Sequence, residues 1–428
     1  MSIEELYKLY LQYPSIQTDT RKLKTGDIFF ALKGPNFNGN KFAQQAIDAG
    51  AVCAVIDEKE YEITGKTFLV QDVLATLQQL ANHHRKQFLI PFIAITGSNG
   101  KTTTKELVHA VLSSAYKVYT TEGNLNNHIG VPLTILKIGQ DANMAVIEMG
   151  ANHLHEIEGY CKIAEPTHGL ITNCGKAHLE GFGSVEGVKK GKGELFDHIR
   201  NIQGTALVMW DYDYLRQMSD GIDEIITYGT RDADITGNVI ESSPFLKVKI
   251  DNPETEIQTK LVGDYNLPNV LAAVAVGREM KISMEKIRQA IEDYIPSNSR
   301  SQLLEKDGNK YILDAYNANP SSMKPAIENF AGIDAPNKVL MLGAMAEMGD
   351  ESKTEHESLI NLIKKYNWQH VVLVGKQFEP YKDEFAYFEN AVAAGEWFAR
   401  QKFENGYFLV KGSRSSQMEK ILAAAGIV

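Results

Sequence analysis

Glycines, hydroxyls and a lysine are packed into one short run, Thr96-Gly-Ser-Asn-Gly-Lys-Thr-Thr103. That mixture suits the binding of a polyphosphate. Gly97 and Gly100 let backbone N–H groups converge on one anion, and Lys101 adds a point charge for the β- and γ-phosphates of a nucleotide. The Thr102 hydroxyl is placed to ligate Mg²⁺. Thr96, Ser98, Asn99 and Thr103 complete the candidate phosphate contacts. The usual pattern sets about four residues between its glycines. Here only Ser98 and Asn99 stand between Gly97 and Gly100, a short variant that distances the chain from ordinary GTPases.

Further candidates lie at the ends of apolar runs. Glu148 closes the run 144–148, where a carboxylate can ligate Mg²⁺ or simply face solvent. His178 follows the run 170–172 and on its own reads more readily as structural than as a ligand. Lys189, Lys190 and Lys192 have the look of a solvated charged face. Gly123-Asn-Leu-Asn-Asn-His-Ile-Gly130 sets Asn126 and Asn127 among glycines. Asp314-Ala-Tyr-Asn-Ala-Asn-Pro320 sets Asp314, Asn317 and Asn319 just beyond the run 311–313. Both clusters suit a polar ligand, and Asx-turn chemistry is the plainer alternative.

The elements that must position these groups alternate between strand and helix. The run 90–95 predicts a buried strand, and Leu107, Val108, Val111 and Leu112 predict the helix after the glycines. Strand, turn and helix N-terminus together aim N–H groups and the positive end of a dipole at one point. Strand runs at 27–32, 51–56 and 67–70, with a helix at 42–49, predict a small α/β domain over residues 1–88. Residues 89–299 predict a central nucleotide-binding domain on a P-loop-type, mostly parallel sheet, ending in the linker Pro296-Ser-Asn-Ser299. Residues 300–428 repeat the alternation at 339–342, 371–374 and 407–410. Each of those runs ends in a glycine loop, which predicts a Rossmann-like C-terminal domain with ligands at the carboxyl edge of its strands. The predicted fold class is α/β in three domains, as expected for a chain of 428 residues.

Composition excludes several classes. A net charge of −10 without a basic stripe argues against nucleic-acid binding. Cys53, Cys161 and Cys174 are too scattered for structural zinc or a disulfide framework. No run approaches the roughly 18 apolar residues of a transmembrane segment. The N-terminus lacks the basic and apolar parts of a signal peptide, so a cytoplasmic location is expected. The Asn-Lys-x-Asp motif of GTPases and the His-Arg-Asp and Asp-Phe-Gly motifs of protein kinases are absent.

Taken in order, the clusters resemble the ATP-dependent Mur ligases of peptidoglycan synthesis, from Gln17 to Leu422. Thr18-Asp-Thr-Arg21 with Gly26-Asp-Ile-Phe-Phe-Ala-Leu-Lys-Gly34 is similar to the family's UDP-sugar-binding segment. Three stretches resemble the branch that adds D-alanyl-D-alanine to UDP-N-acetylmuramoyl-tripeptide. They are the Asp314 cluster with Ser322-Met323, Leu342-Gly-Ala-Met-Ala-Glu-Met-Gly349 with His356, and Val410-Lys-Gly-Ser-Arg-Ser-Ser416 with Met418-Glu419.

The resemblance implies roles for these positions. Lys101 and the loop amides would hold the phosphates of ATP, and Thr102, Glu148 and His178 would bind two Mg²⁺ ions. Lys192 matches the lysine that the family carbamylates beside the metal. Asn266 would contact adenine, Arg300 the γ-phosphate and Asp314 the ribose. Thr18, Asp19, Thr20, Arg21, Lys33 and Gly34 would bind the UDP-sugar, with Asn126, Asn127, Asn317 and Asn319 as further substrate contacts. Lys101, Lys192, His178 and Arg300 would carry the catalysis. The family's Gly-x-His-Asn appears as Gly263-Asp-Tyr-Asn266, so Tyr265 stands in place of a histidine. A monomer is expected. The competing readings are another Mur-type ligase, a folylpolyglutamate synthase, a P-loop kinase or hydrolase, and a non-catalytic nucleotide-binding protein.

Overall fold

The computed structural model describes residues 2–297 and 299–428; Asn298, inside the Pro296-Ser-Asn-Ser299 linker, lies outside the described residues. Its largest sheet orders its strands Glu254–Gln258, Lys247–Asp251, Ile235–Glu241, Glu224–Gly229, Thr205–Met209, His168–Ile171, Phe92–Thr96, Met144–Glu148 and Val118–Thr120. The strands from Ile235–Glu241 to Val118–Thr120 pair in parallel. Every residue of Phe92–Thr96 and of Met144–Glu148 is buried. Central parallel strands covered on both faces read as unbroken apolar runs, which is why both stand out in the sequence.

The outer ribbon of this sheet is antiparallel. Val248, Ile250 and Ile257 are buried on it while their neighbours are not, the period-two pattern of a half-covered sheet. The alternation read from the sequence does not anticipate this three-stranded extension. Helix Leu267–Glu279 is apolar nearly all round and buried along most of its length, so it forms a core element. It runs so close to helix Lys101–Ser113 that a Cβ on Gly277 would lie 2.6 Å from Val111.

Smaller sheets flank this body. The N-terminal one is wholly parallel, in the order Ile16–Gln17, Ile28–Phe30, Cys53–Ile56 and Thr67–Leu69. Helix Val73–Arg85 joins it to the central body through its final residue. The Arg85 guanidinium donates to the carbonyls of Ala164, Phe88 and Glu165 and lies 3.7 Å over the Phe92 ring. The C-terminal sheet orders Gln302–Lys306, Asn309–Asp314, Tyr407–Lys411, Lys338–Gly343, His370–Val374 and Ala386–Phe388, with only the first pair antiparallel. Its carboxyl edge holds Asp314, Gly343 and Lys411 at three strand ends. Among the described residues, no helix is long and apolar enough to cross a membrane.

Candidate active site

The turn between Phe92–Thr96 and Lys101–Ser113 is buttressed from below. The Ser98 N–H donates to the Asn173 carbonyl at 2.9 Å, and the Asn99 carbonyl accepts from the Thr172 hydroxyl at 2.6 Å and the Asn173 amide at 3.1 Å. Gly97 and Gly100 have φ of 142° and 80°, and a Cβ on either would strike Thr172 or Asn269. Only glycine fits both places. No side chain caps helix Lys101–Ser113, so its first-turn N–H groups remain available to an anion.

Lys101 folds back over the loop, its Nζ donating to the carbonyls of Gly97 at 2.7 Å and Ser98 at 3.1 Å. Burial pulls its pKa below the ordinary lysine value, and Arg300 adds to the effect against the pull of Glu148. Thr96 and Gly97 play a supporting part: the Thr96 hydroxyl donates to the Met149 carbonyl at 2.7 Å, beneath the turn.

Glu148 is 1% exposed, at the end of its strand. The Thr102 hydroxyl donates to its Oε2 at 2.8 Å, the Asn126 amide donates to Oε1 at 2.7 Å, and its N–H donates to Thr121 Oγ1 at 2.9 Å. The carboxylate therefore faces the helix N-terminus and not solvent. Asn127 is different: its Oδ1 accepts from the N–H groups of Ile129 and Gly130, an Asx-turn leading into helix Gly130–Leu136.

These groups line a cavity of about 860 Å³ between the central and C-terminal domains. Lys101, Thr102, Glu148, His178 and Asn266 line it from one side, and Arg300 and Asp314 from the other. Asp314 pairs with Lys411 at 2.5 Å and accepts from the Ser301 N–H at 3.3 Å. The Asn266 side chain is held at both ends, donating to the Val262 carbonyl and accepting from Asn269 Nδ2 at 2.8 Å. Asn269 was not singled out from the sequence, although it is a lone amide in an apolar helix, which was the available signal.

His178 and Lys192 take unexpected positions. His178 adopts φ 54°, and its Nδ1 pairs with Glu347 from the C-terminal domain. Of the four suggested metal contacts, Thr102 and Glu148 touch directly, while His178 turns its Nδ1 to Glu347 and Lys192 its Nζ to the Ala151 carbonyl. Lys192 does not belong to a solvated face. It is 1% exposed and shares the buried side of helix Val185–Asn201 with Val188, Leu195, Phe196 and Ile199. That spacing of three to four residues was legible, but the adjacent lysines masked it. Burial, helped by the charge of Lys101, pulls its pKa down to about 7. Its Nζ donates to the Ala151 carbonyl at 2.8 Å, and Ala151 lines the cavity.

The N-terminal candidates stand apart from this cavity. Asp19 accepts two side-chain hydrogen bonds from Arg21 at 2.9 and 2.8 Å, and Lys33 pairs with Asp57 at 2.9 Å. Gly34 follows Lys33 in a two-stranded hairpin with Phe37–Asn38, and Thr18 and Thr20 flank Asp19. Asn317 accepts from the Ala318 N–H within its own loop, whereas Asn319 caps helix Pro320–Gly332 and reaches the phosphate loop. A second cavity of about 240 Å³ sits at the carboxyl edge of the C-terminal sheet, lined by Met345, Gly375, Glu389, Ser415 and Lys420.

Family profiles match the chain in series. The profile described as Mur ligase family, catalytic domain, matches residues 12–88; the Mur ligase middle domain matches 95–277; the Mur ligase, glutamate ligase domain, matches 299–414. A Bacillus subtilis protein named UDP-N-acetylmuramoyl-tripeptide–D-alanyl-D-alanine ligase is 32% identical, over 95% of this chain and 92% of its own length. A crystal structure of MurF from Acinetobacter baumannii is similar with a TM-score of 0.87 and 31% identity, covering 96% of this chain and 93% of that one. The MurF ligase of Thermotoga maritima, solved in complex with ADP, gives 0.86 at 25% identity, covering 97% of each chain.

Proposed function

The chain belongs to the Mur ligase family, and from that premise we propose how its site works. It is an ATP-dependent ligase that joins D-alanyl-D-alanine to UDP-N-acetylmuramoyl-tripeptide in peptidoglycan synthesis, releasing ADP and phosphate. One observation carries the reading. An uncapped helix N-terminus with the Thr102–Glu148 pair at its foot faces Arg300 and Asp314 across a single cavity.

Joining an acid to an amine in water requires an activated acid. The tripeptide carboxylate attacks the γ-phosphorus of ATP, the bond to the β-phosphate oxygen breaks, and an acyl phosphate and ADP result. The dipeptide amine then attacks the acyl carbon, loses a proton, and phosphate departs. The first attack brings an anion to a polyanion, so positive charge must surround the transferred group. Lys101 would release the Gly97 and Ser98 carbonyls to meet the phosphates, and Arg300 would meet the γ-phosphate from the C-terminal domain. Asn266 would read adenine, and Asp314, held by Lys411, would accept from the ribose.

The oxygen donors of Glu148 and Thr102 fit Mg²⁺. An ion held by these residues would supply positive charge that screens the repulsion between carboxylate and phosphate. Two ions are proposed, and His178, whose Nδ1 pairs with Glu347, would help hold the second. Lys192 is the candidate for carbamylation, in which its unprotonated amine adds to CO₂ and loses a proton to become an anion. A buried amine with a pKa of about 7 supports this.

Residues 1–88 would bind the UDP-sugar through Thr18, Asp19, Thr20, Arg21, Lys33 and Gly34; residues 89–299 would bind ATP, with Asn126 and Asn127 as further substrate contacts. Residues 300–428 would bind the dipeptide, with Asn317 and Asn319 at the shared boundary. The cavity at the carboxyl edge of the C-terminal sheet is where such folds take ligands. Glu389 and Lys420 offer it one charge of each sign for a zwitterion. Purified protein supplied with ATP and both substrates should release phosphate and ADP, and omission of either substrate should stop release. Steady hydrolysis without them would favour an ATPase, and AMP with pyrophosphate would exclude the acyl-phosphate route.

A further inference from the structure

Arg300 carries the only buried guanidinium nitrogen without a hydrogen-bond partner among the described residues, its Nε. The same side chain lines the nucleotide cavity, where it adds to the positive charge felt by Lys101. Like charges held near one another, with a donor left unmet, would ordinarily drive a flexible arginine out toward water. What opposes that here is a ring. The Arg300 guanidinium carbon lies 3.5 Å from the centroid of Tyr316, and that of Arg414 lies 5.8 Å from the same centroid. Tyr316 itself is half-buried in the loop between strand Asn309–Asp314 and helix Pro320–Gly332, and it lines the cavity.

We propose that Tyr316 is a positioning residue: its ring is a fixed platform that holds the Arg300 guanidinium in place for the terminal phosphate of a nucleoside triphosphate. This rests on the reading that Arg300 meets the γ-phosphate. An arginine face attracted to an aromatic quadrupole keeps its N–H groups in the plane parallel to the ring, free to donate sideways to an anion. The ring thereby lowers the ordering that the arginine would otherwise undergo when ATP arrives. Because Tyr316 lies two residues beyond Asp314 at the strand end, the platform is fixed to the same segment that is proposed to bind the ribose.

The test compares equilibrium binding of ATP and of ADP, which lacks the γ-phosphate, in the full chain. Tyr316→Leu should weaken ATP binding roughly tenfold while moving ADP binding little. Tyr316→Phe, which keeps the ring, should restore the preference for ATP. In an Arg300→Gln background, Tyr316→Leu should add almost nothing. Tyr316→Met serves in the same comparison should the leucine variant not fold. Equal weakening of ATP and ADP, or an undiminished effect of Tyr316→Leu in the Arg300→Gln background, overturns the platform. If Arg300→Gln loses the preference for ATP but Tyr316→Leu keeps it, the platform falls and the Arg300 reading stands. If Arg300→Gln itself keeps that preference, the Arg300 reading has failed, and the platform with it.

Discussion

The Asn319 amide donates to the side-chain oxygen of Asn99 at 2.7 Å, tying the first turn of a C-terminal-domain helix to the phosphate loop of the central domain. Beside this contact, the Lys176 N–H donates to the Ser321 hydroxyl at 2.8 Å, and its Nζ pairs with Glu355 at 2.6 Å. His178 meets Glu347 across the same boundary. The loops that follow two adjacent central strands are thus both fastened to the third domain. The cavity lined by both domains lies beside these contacts.

Removing the Lys101 amine should abolish turnover without unfolding the chain. Among the described residues its hydrogen bonds run only to two loop carbonyls, whereas the turn is held by Thr172 and Asn173. Lys101→Ala should lower phosphate release by roughly two to three orders of magnitude. The melting temperature should stay close to that of the parent. Near-normal release would show that the lysine does not meet the transferred phosphate.

Glu148→Gln keeps the shape of the side chain and removes its charge. The Mg²⁺ concentration giving half-maximal activity should rise on the order of tenfold or more. ATP titrated at saturating metal should recover part of the rate. An unchanged metal requirement would return Glu148 to a structural role, as the anchor of Thr102 and Asn126.

How much of this arrangement was legible in the sequence depends on whether local pattern carried it. The phosphate loop was, because glycine spacing and flanking apolar runs are local. The three-domain α/β layout was as well, since parallel strands announce themselves as apolar runs. The partners of His178 and Asn99 were not: Glu347 and Asn319 lie far along the chain, and only tertiary folding brings them close. Lys192 failed differently, because two neighbouring lysines made a core position look like surface. At Asn127 the two readings coexist, since its Oδ1 accepts from local backbone N–H groups as in an Asx-turn while the residue also lines the cavity.

The cavity proposed for the dipeptide can be tested apart from the nucleotide site. Lys420→Ala or Glu389→Ala should raise the KM for D-alanyl-D-alanine by about tenfold, the cost of one charge-assisted hydrogen bond. The KM for ATP should not move, because neither residue lines the nucleotide cavity. A parallel rise in both constants would mean that the substitutions act through domain closure.

Lys192 can be tested in two independent ways. Its amine titrates at about 7 in the folded chain against an ordinary 10.5, so between those values the folded state binds fewer protons than the unfolded state. Stability contributed through this group must then rise with pH across that window, and the full penalty is present below it. Lys192→Met removes the titration. It should therefore be the more stable form near pH 7 or below, by on the order of a few kcal/mol, with the advantage shrinking toward pH 10. A difference that does not change with pH would mean that the buried amine is not depressed. The second measurement concerns the carbamate. Lys192→Ala should lose most activity, and a short carboxylic acid should restore part of it by placing an anion in the vacated space, while a neutral analogue of equal size should not. Equal rescue by both additives would reduce Lys192 to a packing role along its helix, and full activity without any additive would leave the buried amine with no part in the reaction.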